Sequence, residues 1–388
     1  MVRIATWTSS IAGAALVLTS ATWAHAATEA EITEALTAVF TATDTGTTVT
    51  LGTPTASGNS LVYKGVEFRQ MDGGAVNVST VDTMTVTGGD LNAAGALTAD
   101  QLMLEGLTST SPDGTTVTVG EITVEDLDVK EKPVAGTPPV ATYASIAAGD
   151  MTVAQNGKTS VTVESLLFEA EDYVGNVPRS VNLTVESITV DPAGMDDGGA
   201  AAAQLKAFGY ETLVLSLIGK GALDEATGDL SVEEFSISGV DAGTLSLTAT
   251  FGGFTPEVIA QMSQPEPPPT VLDAITIQNA ELVFEDESLA GRILGFQASQ
   301  MGTTAEALAD QLASALPLML TPLQNPAFQN TVATAAGAFL KDPQNIAVTA
   351  APEAPVSLAT VIGLAQSAPQ TLPQTLNVSV TANQDLPE

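Results

Sequence analysis

Few residue patterns in this chain could do chemistry. Asp44-Thr45-Gly46-Thr47 matches the D-T-G-[ST] tetrapeptide of aspartic proteases, in which the Asp is one of two carboxylates sharing a proton. There is a single copy, so a two-carboxylate site would need a dimer. The stretch also directly follows a predicted helix instead of lying between strands, and it reads as a polar turn. Gly219-Lys220-Gly221 resembles the opening of a phosphate loop, yet it sits in or just after an extended run. Neither a Walker pattern nor a dinucleotide fingerprint is complete around it. Asp191, Asp196 and Asp197 with Gly198-Gly199 form an acidic loop. Its spacing fits neither an EF-hand nor a repeat-in-toxin nonapeptide, and Asp-Gly clusters of this kind read as turns.

What is missing is more informative. His25 is the one histidine, Trp7 and Trp23 are the only tryptophans, and there is no cysteine. Met1 to Ala26 reads as a secretory signal: Arg3, an apolar core including Ile11 to Leu18, then Ala24-His25-Ala26 at a small-x-small cleavage site. The apolar run is interrupted and shorter than a membrane span needs, so cleavage rather than anchoring is expected. The mature chain then has no His, Trp or Cys. Ser-His-Asp and Cys-His catalysis, histidine or thiolate zinc sites, disulfides and a lipoprotein anchor are all excluded. A glycosidase built on paired carboxylates would lack its usual aromatic platforms. We therefore expect a non-enzymatic protein with no catalytic residue, no metal ligand and no cofactor, located in the periplasm or secreted. A carboxylate-dependent hydrolase ranks last.

The formal net charge is −34, from 45 Asp and Glu against 11 Lys and Arg. Nucleic acid is not an expected partner, because binding it rests on neutralising phosphates with Lys and Arg. Anionic membrane surfaces are disfavoured for the same reason.

The elements that would position any site come from a repeated apolar pattern. Its clearest copies are Val117-Thr-Val119-Gly-Glu-Ile122-Thr-Val124, Val161-Thr-Val163-Glu-Ser-Leu166-Leu-Phe168, Leu183-Thr-Val185-Glu-Ser-Ile188-Thr-Val190 and Leu230-Ser-Val232-Glu-Glu-Phe235-Ser-Ile237. Weaker copies start at Leu61, Leu97 and Ile275. The starts recur at about 22 residues or its double. Strand side chains alternate faces, so the step of three across the polar gap breaks the phase. Either a bulge restores the facing or the strand swaps faces, and both outcomes predict a curved, strongly twisted sheet. The gap residues Asp100, Glu121, Glu164, Glu186, Glu233 and Glu234 suit a solvated kink. Asp113-Gly114 and Asn156-Gly157 between extended runs favour an antiparallel meander over a parallel β-helix.

Along the chain, Thr28 to Thr43 reads as a helix opened by a Thr28-Glu31 capping box. Residues 27–264 are expected to form the β-repeat domain with this N-terminal helix. Residues 265–269 (Pro-Glu-Pro-Pro-Pro) form a Pro-rich linker, and residues 270–388 an α+β domain. In the last portion, helices are expected over Ser288 to Met301, Thr303 to Leu316 (a Thr303-Glu306 capping box), Pro326 to Leu340 and near Val356 to Ala365. The apolar stretch Leu316 to Leu323 is expected to be a buried loop between helices.

The repeat units and the meander Tyr210 to Phe254, above all Gly243-Thr-Leu-Ser-Leu-Thr-Ala-Thr-Phe251, resemble the AsmA-like envelope proteins of Gram-negative bacteria. The likeness is one of style, covering about half of the mature chain. It implies a β-groove that handles lipid, although this chain is short and predicted to be cleaved free, which argues against bridging two membranes. The fold class expected is mainly β with an α+β C-terminal portion: a curved antiparallel β-meander or groove built from repeated strand units, plus three or four helices. The expected function is to bind or carry an apolar ligand such as lipid. The alternative is a structural or cell-surface interaction protein whose repeats fill their own core. No individual ligand-binding residue is singled out by the sequence.

Overall fold

The computed structural model describes residues 27–42, 47–72, 75–137, 139–195, 200–262, 264 and 266–385. The predicted signal segment, Asp44 to Gly46, Asp196, Asp197 and Pro265 lie outside these residues. The strands are β1 (Thr48–Thr50), β2 (Thr55–Ser57), β3 (Ser60–Asp72), β4 (Ala75–Thr87), β5 (Asp90–Leu91), β6 (Leu97–Thr110), β7 (Thr115–Val129), β8 (Ala141–Thr142) and β9 (Ser145–Gln155). They continue as β10 (Lys158–Glu171), β11 (Ser180–Val190), β12 (Leu213–Asp224), β13 (Asp229–Gly239), β14 (Gly243–Gly252), β15 (Thr276–Asp286), β16 (Asn345–Ala350), β17 (Val356–Ser357) and β18 (Val378–Ala382). The helices are α1 (Glu29–Ala42), α2 (Ala200–Ala207), α3 (Pro256–Met262), α4 (Thr270–Ala274), α5 (Leu289–Met301), α6 (Ala305–Met319), α7 (Pro326–Lys341), α8 (Leu358–Ser367) and α9 (Leu372–Thr375).

The strands form one open, curved antiparallel sheet, a meander in which each long strand pairs with the next: β3, β4, β6, β7, β9 to β16, then β18. The Asn156-Gly157 turn joins β9 to β10 with both residues at positive φ, 51° and 79°, which is the geometry that dipeptide favours. The sheet runs on across the Pro-rich stretch, since β14 and β15 on its two sides pair from Gly243 with Asp286 to Gly252 with Thr276. Four helices, α5 to α8, fall on the predicted segments. The first cap of α6 is Thr304, whose side chain accepts from the Ala307 backbone N–H, one residue later than the capping box suggests.

The polar gaps of the repeat are creases in this sheet. Across six successive strand pairs, pairing is interrupted where Gly65, Asp82, Gly106, Gly120, Asp150, Glu164 and Ser187 face one another in turn. Every second residue in this line is left-handed: Gly65 at φ 62°, Gly106 at 67°, Asp150 at 51° and Ser187 at 52°. Through β10 both strands of each pair take the step together, so the register resumes unchanged beyond it. Further on, the facing is restored by one-residue register shifts, between Val185 and Ile188 on β11 and between Val232 and Phe235 on β13. Both devices bring the two halves of each repeat unit to the same face. Tyr63 and Val66, and Val81 and Met84, lie on opposite sides of the crease yet share one core at 0% exposure.

A second line of interruption runs through Gly88 (φ 63°), Asp100 and Asp126 (φ 52°). At both creases an aspartate folds over a glycine of the neighbouring strand or its end. A Cβ at Gly88 would overlap the Asp100 carboxylate, and one at Gly106 would overlap that of Asp82.

The crease makes a sharp stability prediction. Gly106→Ala forces an L side chain into left-handed backbone and crowds Asp82, so it is expected to cost about 1–3 kcal/mol. Gly291→Ala, on an exposed position of α5 with nothing within 4 Å, is expected to gain about 0.5–1 kcal/mol from helix propensity. Urea midpoints of the two variants should move in opposite directions.

Candidate functional site

Because every repeat unit turns its apolar residues the same way, pairing lines them up into rows. One row runs Tyr63, Met84, Leu104, Ile122, Ala148, Leu166, Val185, Leu217, Ile237, Leu245, Phe284, Ile346, Ala382, each the direct partner of the next. The row beside it is also apolar, from Leu61 and Val86 through Phe168, Leu183 and Phe235 to Leu282, Val348 and Val380, with only Gly219 lacking a side chain. Of the outward rows, the one beside the crease is polar, with Thr83, Glu105, Glu121, Gly149, Ser165 and Glu186 as successive partners, and the next is mixed, running through Met103, Thr123, Ala147, Leu167, Thr184 and Ile218. The creased sheet is therefore a trough. Its inner wall is apolar across thirteen strands, roughly 60 Å at about 4.8 Å per strand.

Helices fill both ends. At the first end α1 lies on β3 to β7, with Ile32 and Leu36 at 5% and 0% exposure and Phe40 edge-on to Phe68 at 5.2 Å. The Thr28-Glu31 capping box forms as predicted, the Glu31 carboxylate accepting from the Thr28 N–H at 2.8 Å. The Thr33 hydroxyl meets the Tyr63 hydroxyl at 2.9 Å beneath the helix. At the other end α7 packs Phe328, Val332 and Phe339 against Ile346, Val380 and Ala382.

Between these plugs the wall is uncovered. From β9 through β13 no Val, Leu, Ile, Phe or Met is buried. Phe235, Leu245, Leu282 and Val348, neighbours on the inner face, are 36–41% exposed. A fully buried side chain of this kind gains about 1.5–3 kcal/mol, so the middle of the trough forgoes much of what the ends realise with the same residue types. Along one rim, at the level of Leu223, an apolar recess of about 360 Å³ opens between Val177, Phe254 and Ile259. Glu225 borders it and is ion-paired with Arg179.

That rim is strongly acidic. The connections and strand ends over residues 171–180, 224–229, 252–276 and 350–378 carry Glu171, Asp172, Asp224, Glu225, Asp229, Glu257, Glu266, Asp273 and Glu353 against Arg179, and the preceding connection into β9 adds Lys130, Glu131 and Lys132.

The motifs that suggested other chemistry do not assemble. Gly219-Lys220-Gly221 is the middle of β12, paired on both sides, and its lysine is held by Glu234 at 2.7 Å. It is strand, with no loop of free backbone N–H groups to cradle a phosphate. The Asp191 carboxylate accepts from the Ala193 N–H in a local turn. Among the described residues no group of three His, Cys, Asp or Glu could hold a metal ion, and no helix is long and apolar enough to cross a membrane. Leu316 to Leu323 is not a buried loop. It completes α6 and the turn after it, with Leu318 and Met319 at 79% and 62% exposure. The open rows were visible in the sequence only as short units, because their alignment depends on register between strands.

A family model described as an uncharacterized protein matches residues 236–383, from the last four residues of β13 through β18. No curated protein matches the chain.

The α1 plug should loosen in alkali. Burial raises the Tyr63 hydroxyl above the ordinary tyrosine value, opposed by its bond to Thr33 and helped by the charge of Glu29. A raised folded-state pKa gives stability that is whole below about pH 10 and declines as pH climbs through the higher folded value. Tyr63→Phe is expected to flatten this alkaline decline while losing the Thr33 bond, about 1 kcal/mol at neutral pH. Thermal melts from pH 7 to 11.5 would measure both effects.

Proposed function

We propose that this protein is a non-enzymatic carrier, exported from the cytoplasm, that holds a lipid or similar apolar ligand along the middle of the trough. The observation that carries this reading is that the inner rows from β9 to β13 keep their apolar identity while none of their large side chains is buried. A sheet whose repeats filled their own core would bury these residues as β3 to β7 do, and an uncovered apolar surface of this continuity calls for an occupant. The open stretch from β9 to β15 is roughly 30 Å long at the usual strand spacing, enough for an extended acyl chain. Plugs at both ends support a closed carrier rather than a conduit extended by neighbouring grooves. The creased meander is also the architecture that the AsmA-like resemblance implies. The acidic rim supports a neutral or zwitterionic head group over an anionic one.

The test uses charges placed on either face. Leu183 and Leu217 are partly buried on the inner rows and Thr184 is equally partly buried on the outer face, so Thr184→Glu controls for the cost of the charge to the fold, and thermal melts select variants that stay folded. Binding of a fluorescent long-chain probe should fall at least tenfold in Leu183→Glu and Leu217→Glu and stay unchanged in Thr184→Glu. Equal binding in all three would sink the trough as the ligand site.

A further inference from the structure

Beyond the trough, a second apolar surface stands out on the α6–α7 hairpin. Asp310 on α6 and Lys341 on α7 form an ion pair at 2.8 Å across the base of the hairpin. The thirty residues enclosed by that pair, 311–340, contain no Asp, Glu, Lys, Arg or His, in a chain where 14% of residues are charged. At the far end α6 finishes in Leu318 and Met319, the first of which is the most exposed of the large apolar side chains described. The turn Thr321–Leu323 and the Asn325 cap of α7 close the tip without adding a charge. The inner side of the same hairpin is well packed: Leu308, Ala309 and Leu312 join Leu294 and Leu340, and Ala335 joins Val380. Exposure of large apolar side chains on the described hairpin is thus confined to the tip and does not reflect a loose element.

We propose that the tip of the α6–α7 hairpin docks the protein on an uncharged lipid surface by inserting Leu318 and Met319. Three features favour a lipid surface over a protein partner. The tip offers flexible aliphatic side chains and none of the Trp, Tyr or Arg anchors that dominate protein interfaces. It also lacks charged residues at its rim, where exposed Thr321 and Gln324 are the polar groups beside Leu318 and Met319. Finally, a chain of net charge −34 is repelled by anionic surfaces, so contact with a bilayer has to be made where the chain carries no charge and gains from apolar insertion. The packing of α7 on β16 and β18 fixes this tip to the far end of the trough.

Flotation of the purified protein with vesicles of phosphatidylcholine, or of phosphatidylglycerol, tests the proposal. The protein is expected to rise with the phosphatidylcholine vesicles, to rise at least fivefold less with phosphatidylglycerol, and to remain bound in 1 M NaCl. Leu318→Glu with Met319→Glu should lower flotation at least tenfold with an unchanged thermal melt, while Leu318→Ile with Met319→Leu keeps it. Leu217→Glu, which disables the trough, should float as the wild type does, so failure of the trough reading and failure of this one are separable. Absence of flotation with phosphatidylcholine would overturn the proposal, as would full flotation of the double Glu variant. A wild-type dimer that the double Glu variant dissolves, with no vesicle binding in either, would make the tip a self-association surface instead.

Discussion

Everything in this structure depends on a phase step in the strands. A regular strand alternates faces, so a 2-3-2 spacing of apolar residues would place half of them in water. The left-handed residues at Gly65, Gly106, Asp150 and Ser187 absorb that step, and because they align from strand to strand the whole sheet bends along one line. A bulge in a single strand would only twist its neighbours. A crease shared by seven strands builds a trough, and it fixes which face is apolar along the entire length.

The same constraint explains why the ends and the middle differ. Val86 near one end and Leu183 in the middle lie in one row, and Met84 and Leu217 in the other, yet the first of each pair is at 1% or 0% exposure while Leu183 and Leu217 are only partly buried. The difference lies in what covers them: α1 at one end, α7 at the other, and no comparable plug between among the described residues. Edge protection follows the same economy. β1 and β2 pair with β3 in one register but are separated by a break containing Gly52 and Pro54, and β18 at the other edge is only five residues long. Short or interrupted edges discourage pairing with further strands, which keeps the trough finite.

Much of this was legible in the sequence because it is local. The spacing of Val117, Val119, Ile122 and Val124 marks the crease, Asn156-Gly157 marks a hairpin, and Thr28 with Glu31 marks the start of α1. The acidic gap residues are solvated as their chemistry suggests. What could not be read is what depends on distant pairing. That Leu166, Val185, Leu217 and Ile237 form one row requires the register of four strands, and no single unit contains it. Leu318 is exposed against expectation for a related reason: an apolar run argues for burial unless the neighbouring helix is already packed elsewhere, and α7 packs its apolar face on β16 and β18. Gly219-Lys220-Gly221 is strand because the rows on both sides require β12 to pass through it, a demand that outweighs the loop character of two glycines.

The most direct test of the uncovered trough is native mass spectrometry of the protein purified from the cells that export it, followed by organic extraction. A discrete additional mass that extraction releases as a neutral or zwitterionic lipid is the predicted result. A bare polypeptide mass, unchanged after incubation with membrane lipids, would contradict the account and leave the inner rows as a surface for other protein chains.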